Sequence, residues 1–121
     1  MTQARLEHVN VTVSNPAETA KRLCDWFGWQ VRWSGPAKNG GTTYHVGNDH
    51  DYVALYALAT PTETPRGCLN HIGVLVEDLA DAEARILADG IRTHSHANYE
   101  PGRRFYFDDP DGIEFEVISY V

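Results

Sequence analysis

The sequence predicts an α+β chain made of two repeated βαβββ modules. Three observations predict it. Leu6-Glu7-His8-Val9-Asn10-Val11-Thr12-Val13 returns 63 residues on as Leu69-Asn70-His71-Ile72-Gly73-Val74-Leu75-Val76, with Leu, His and two Val in place. A repeat of fixed period marks a duplicated unit. Each copy is followed by a helical pattern and then by three strand patterns, in the same order both times. Neither half alone covers both faces of its helix and sheet, so the halves are expected to pack together or against a second subunit.

The elements follow in chain order. Residues 6–13 alternate, with Val9, Val11 and Val13 on one face and His8, Asn10 and Thr12 on the other, as a half-buried strand does. Asn15-Pro16 supplies a capping side chain and a proline for a helix start. Ala17 to Phe27 reads as helix, with Ala20, Leu23, Cys24 and Phe27 on one stripe, and Gly28 stops it. Trp29–Trp33 is a strand, and Gly35-Pro36 and Asn39-Gly40-Gly41 are turn signals. Thr42–Val46 and Tyr52–Leu58 are strands around the turn Gly47-Asn48-Asp49-His50-Asp51.

The second half reads Leu69–Val76 as strand, Leu79–Ala88 as helix stopped at Gly90, and Ile91–His96 as strand. Arg103–Phe107 and Ile113–Tyr120 form a hairpin across Asp108-Asp109-Pro110-Asp111-Gly112, which is turn chemistry. The 121 residues make one domain, with modules at about 4–58 and 68–121 and a linker at about 59–67.

Composition narrows the function classes. A hydrophobic content of 42% suffices for a packed core. A formal charge of −7 argues against nucleic acid and anionic membrane surfaces, which reward surplus Lys and Arg. No apolar run approaches the ~18 residues that cross a bilayer. The N-terminal residues enter a strand pattern without a signal-peptide core, so a cytoplasmic location is expected. Cys24 and Cys68 form no CxxC motif, and no structural disulfide is expected there.

Alternation sorts each sheet into two faces. Ile113, Phe115 and Val117 face the helices, which puts Glu114 and Glu116 opposite. In the first half Val53, Leu55 and Ala57 face the helices, leaving Tyr52, Ala54 and Tyr56 opposite. His8 and His71 lie opposite the Val/Ile rows. The face away from the helices thus collects His8, His71, Glu116 and Tyr106. Left unpaired in a core, such groups cost on the order of several kcal/mol each. Two imidazoles and a carboxylate are instead the ligand set of a facial triad with open coordination positions. Open positions serve Lewis-acid or oxygen-activating chemistry. This set suits Fe, Mn, Ni, Co and Zn alike.

The L-x-H-h-x-V-x-V openings, the repeated modules and the closing Phe105-Tyr106-Phe107-Asp108-Asp109-Pro110-Asp111-Gly112-Ile113-Glu114-Phe115-Glu116 resemble the vicinal oxygen chelate superfamily. That group includes glyoxalase I, methylmalonyl-CoA epimerase, fosfomycin-resistance thiol transferases, extradiol dioxygenases and bleomycin-binding proteins. The resemblance implies a curved, barrel-like mixed sheet with helices outside, a divalent metal on its concave face and a homodimer. By position, His8, His71 and Glu116 match the family's ligands. The four-ligand members carry a further Glu or Gln where this chain has Ala54, with Leu55 as the alternative register. The chain therefore looks like the three-ligand members.

The remaining candidates are weaker. Tyr106 stands where both three-ligand groups place a tyrosine near the metal, and a phenol there bonds a substrate oxygen or relays a proton. His45, the counterpart of Tyr106, and His96 are candidate acid–base groups, and Glu116 is expected both to bind the metal and, if labile, to shuttle a proton. Arg103 and Arg104 are read as exposed charges, with recognition of an anionic substrate as the alternative, and His94 as solvated or at the pocket rim. Trp26, Trp29 and Trp33 are read as core or dimer packing residues, with Trp33 alternatively a wall of the cavity. The expectation is a metal-dependent enzyme acting on a small oxygen-bearing substrate. Lyase/isomerase and ring-cleaving dioxygenase chemistry both remain open. The competing class is a metal-free, bleomycin-resistance-like binding dimer.

Overall fold

The computed structural model describes residues 6–37, 40–60, 69, 71–99 and 102–121. Among them the chain runs β1 (His8–Thr12), α1 (Pro16–Phe27), β2 (Gln30–Pro36), β3 (Thr42–Gly47), β4 (Tyr52–Ala57), β5 (Ile72–Leu75), α2 (Leu79–Ala88), β6 (Thr93–Tyr99), β7 (Gly102–Asp108) and β8 (Glu114–Ser119). The βαβββ order occurs twice, and the α+β class holds. Two compact units result, Met1–Thr64 and Pro65–Val121. Most of the expected linker, Cys68 and part of the Asn39-Gly40-Gly41 turn lie outside the described residues.

Unit 1 is one sheet in the order β1-β4-β3-β2, with α1 packed on β2, β3 and β4. Unit 2 has the order β5-β8-β7-β6, with α2 against β6 and β8. The β1·β4 and β5·β8 pairs are parallel and the others antiparallel, so both sheets are mixed. Neither sheet closes into a barrel. Closure would need the edges of a sheet bonded to each other, and here β1 and β2, or β5 and β6, are separate edges.

Local chemistry sets the helix ends. The Asn15 side chain accepts from the Glu18 N–H at 3.2 Å, and Gly28 ends α1 at φ 71° with its N–H on the Cys24 carbonyl. Asp78 caps α2 by accepting from the Asp81 N–H at 3.0 Å. Ala20, Leu23 and Trp26 bury the inner face of α1, and Ala82 and Ile86 that of α2. Opposite them lie Val46, Val53 and Leu55 in unit 1, and Phe105, Phe107, Phe115 and Val117 in unit 2, all buried. The Phe107 and Phe115 rings stack at 5.1 Å. Asp109 is buried because its carboxylate accepts from the Asp111 and Ile113 N–H groups, which closes the Asp-Pro-Asp-Gly turn.

Two strands depart from the simple pattern. Gly35-Pro36 was expected as a turn, yet it continues β2, paired with Thr43 and Thr42. β2 is an edge strand, where a proline's missing N–H costs the ladder nothing. β6 carries a bulge. His94 pairs with Tyr106, but Ala97 pairs with Arg104, so one extra residue is inserted, and Ser95 takes φ 57° to accommodate it.

Candidate metal centre

Register aligns one row of side chains across each sheet. In unit 1 the row is Asn10, Ala54, His45 and Trp33. In unit 2 it is Gly73, Glu116, Tyr106 and His94. Ala54 is therefore the structural counterpart of Glu116, and His45 that of Tyr106. The duplicated sheet keeps one carboxylate, in unit 2.

Glu116 is the hub of unit 2. Its Oε1 lies 3.4 Å from His71 Nε2, with the imidazole side chain 34% exposed and the carboxylate 14%. Its Oε2 accepts from Arg104 Nη1 at 2.8 Å and from the Tyr106 hydroxyl at 3.0 Å. Gly73 stands beside it across β5, so no side chain crowds Oε1 from that strand. The Tyr106 ring meets His71 edge-on at 5.9 Å and stacks on His94 at 6.4 Å. Burial, followed by the hydrogen bond and charge of Glu116, pushes the Tyr106 phenol up to about 12. Tyr106 is thus a donor at neutral pH.

The donor set fits a divalent ion. Two atoms each about 2.1 Å from one ion stand about 3.0 Å apart at a right angle and about 3.4 Å apart at the tetrahedral angle. The observed 3.4 Å between His71 Nε2 and Glu116 Oε1 falls in that range. Metal-bound carboxylates are themselves hydrogen-bonded from outside, and Arg104 and Tyr106 supply those bonds.

Arg104 was expected to be an exposed charge. It is 7% exposed and paired with Glu116. Burial works against its charge, but the Glu116 hydrogen bond and the charges of Tyr99, Glu116 and Tyr106 together outweigh it and the guanidinium pKa is raised. The signal in the sequence was alternation: Arg104, Tyr106 and Asp108 share one face of β7.

Unit 1 presents His8 on an aromatic ladder. His8 stacks on Tyr52 at 4.9 Å, Tyr52 on His45 at 4.6 Å, and His45 meets Trp33 at 5.2 Å. Trp33 is 50% exposed, unlike buried Trp26. Glu7 Oε1 lies 3.0 Å from His8 Nδ1, which leaves Nε2 as the nitrogen available to a ligand. Burial first, then the charges of His8 and Arg32, hold the His45 imidazole below the usual histidine range.

His96 does not join Glu116. The β6 bulge turns it to the helix side, where it hydrogen-bonds Glu83 of α2 and stacks on Phe105. Without the inserted residue His96 would have paired with Arg104 on the Glu116 face. A second cluster went unread in the sequence. His94, Asp108 and Glu114 bring one ligand atom each within 4.8 Å of one another. The side chains of His94 and Asp108 are 43% and 54% exposed, with Nε2 and Oδ2 3.6 Å apart, and exposed acidic groups of this kind are common without an ion.

Comparison with known proteins fixes the family. The model of the Glyoxalase/Bleomycin resistance protein/Dioxygenase superfamily matches residues 5–117. The chain belongs to that superfamily. Solved structures share its fold. One superfamily neighbour is the trypanothione-dependent glyoxalase I of Leishmania major, at TM-score 0.80 and 18% identity over 98% of this chain and 88% of that one. A second is a mutant of the fosfomycin resistance protein FosX from Listeria monocytogenes, complexed with Mn(II) and 1S,2S-dihydroxypropylphosphonic acid. It matches at TM-score 0.77 and 19% identity over 97% and 93% of the two chains. A third is TnmS3, an antibiotic-binding protein from Streptomyces sp. CB03234, at TM-score 0.73 and 22% identity over 98% of both. At these identities the likeness is one of fold. A search of curated proteins finds no match to the sequence. Among the described residues no helix is long and apolar enough to cross a membrane.

Proposed function

We propose that this superfamily member is a divalent-metal-dependent enzyme acting on a small substrate that presents two oxygens to the metal. The observation that carries the reading is the approach of His71 Nε2 to Glu116 Oε1, with the other carboxylate oxygen already engaged. His8, the repeat counterpart of His71, is proposed as the third ligand. A bound divalent ion supplies Lewis acidity toward substrate oxygens. His71 and Glu116 hold it. Tyr106 keeps its proton and fixes Glu116. His45, held neutral, is the proposed proton acceptor. The proposed assembly is a cytoplasmic homodimer. Lyase/isomerase chemistry and ring cleavage are the two reactions such a site serves.

Metal analysis of protein purified without chelator tests this. One divalent ion per chain is expected, lost in both His71→Ala and Glu116→Ala, reduced in His8→Ala and retained in His94→Ala. Retention in His71→Ala with loss in His94→Ala would move the site to His94, Asp108 and Glu114. Oxygen uptake with catechols then separates ring cleavage from lyase chemistry.

One observation favours a metal-free binding protein. Arg104 neutralises Glu116 without an ion, and TnmS3 is an antibiotic-binding neighbour. Absence of metal, with a melting temperature unmoved by EDTA, would overturn the metal reading in favour of this one.

A further inference from the structure

We infer that Arg104 is a positioning residue that makes Glu116 a fixed, one-oxygen ligand and so withdraws it from proton transfer. The inference rests on the metal reading above. Arg104 lies on β7 opposite Ile118, two pairs along from the Tyr106–Glu116 pair and therefore on the same face. Three hydrogen bonds hold its guanidinium, while Nε is buried without a hydrogen-bond partner. Nη1 donates to Glu116 Oε2 at 2.8 Å, while Nη2 donates to the main-chain carbonyls of Tyr99 at 2.9 Å and Gly102 at 3.0 Å. Its plane covers the Tyr99 ring at 3.9 Å. A planar fork held this way is pre-organised and does not follow a moving partner.

The Tyr106 hydroxyl donates to the same Oε2. An ionised carboxylate oxygen has about two lone-pair sites, and both on Oε2 are used. Oε1, the oxygen facing His71, is left for a metal. A carboxylate that leaves a metal to collect a substrate proton must rotate. Rotation here breaks an ion pair and a hydrogen bond together, in a half-enclosed site where charge-assisted bonds are strong. Glu116 therefore stays in place, and proton transfer falls to another group.

Co(II) titration followed by calorimetry and visible absorption tests this in wild type, Arg104→Met, Arg104→Lys and His71→Ala. One Co(II) bound by wild type and lost in His71→Ala is the starting condition. Its failure overturns the metal reading, and this inference with it. Given that site, Arg104→Met is expected to bind about tenfold to a hundredfold more weakly, as loss of an outer-shell partner does. Its absorption band should shift as Glu116 swings toward two-oxygen ligation. Arg104→Lys, which keeps a donor for Oε2, should recover part of the wild-type band. An unshifted band in a folded Arg104→Met, or a band in Arg104→Lys displaced as far as in Arg104→Met, overturns the inference while leaving the metal site standing. Should Arg104→Met fail to fold, Tyr106→Phe removes the other Oε2 donor, and an unshifted band there counts equally against it.

Discussion

Single residues separate two kinds of carboxylate in this protein. Glu116 gathers Arg104, Tyr106 and His71 on the sheet face away from α2, whereas Glu83 staples α2 to β6 through Thr93 and His96. Burial raises the Glu83 pKa, but the hydrogen bonds from Thr93 and His96 outweigh it and the net pKa is lowered. The folded state therefore favours the carboxylate. That stability is fully present above the unfolded carboxyl pKa and is lost as pH falls through the lower folded value. Glu83→Ala is expected to cost about 1–2 kcal/mol at pH 7. Chemical denaturation at a series of pH values checks this, since the difference from wild type should shrink below the usual carboxylate range. A pH-independent difference would mean that Glu83 acts by packing alone. Phe107, buried against Phe115, serves as the apolar comparison. Phe107→Ala should cost about 3–5 kcal/mol at any pH.

At the scale of elements, turns and bulges decide what the strands present. Gly47 ends β3 where the chain doubles back to β4. A Cβ there would meet the Asp51 carbonyl and stand 2.6 Å from Tyr52 Cα. Both are backbone, so the turn itself must move. Gly28 differs: it has φ 71°, but nothing lies within 4 Å of a built Cβ. Gly28→Ala should cost about 1–2 kcal/mol for the left-handed conformation. Gly47→Ala should match or exceed that, at about 1–3 kcal/mol for the overpacked turn. Thermal unfolding of the two variants measures the order, and a neutral Gly47→Ala would show that the turn relaxes freely. The β6 bulge acts through direction. The inserted residue puts His94 on the Glu116 face and His96 on the α2 face.

For the whole molecule, metal binding and stability are linked. An ion that binds only the folded chain adds about 2.7 kcal/mol at a hundred times its Kd. Mn(II), Co(II) or Zn(II) is therefore expected to raise the melting temperature of wild type and leave that of His71→Ala unchanged. An equal rise in both would place the ion elsewhere. The formal charge of −7 gives general attraction for cations, so the variant, rather than the rise itself, carries the result.

Much of this was present in the sequence. The 63-residue repeat determined the α+β class and the twice-used βαβββ order, because local periodicity and capping chemistry act within a few residues. Strict alternation on β8 placed Glu116 opposite the helix, and the repeat offset marked Ala54 as its counterpart. Both follow from a period of two, which the chain carries locally. Three things were decided only in the tertiary structure. The bulge at Ser95 moved His96 away, Arg104 became the buried partner of Glu116, and the Glu116 Oε1 atom was turned toward His71. Each depends on which residue of a neighbouring strand lies opposite. That is a matter of register, and register is settled when strands pair.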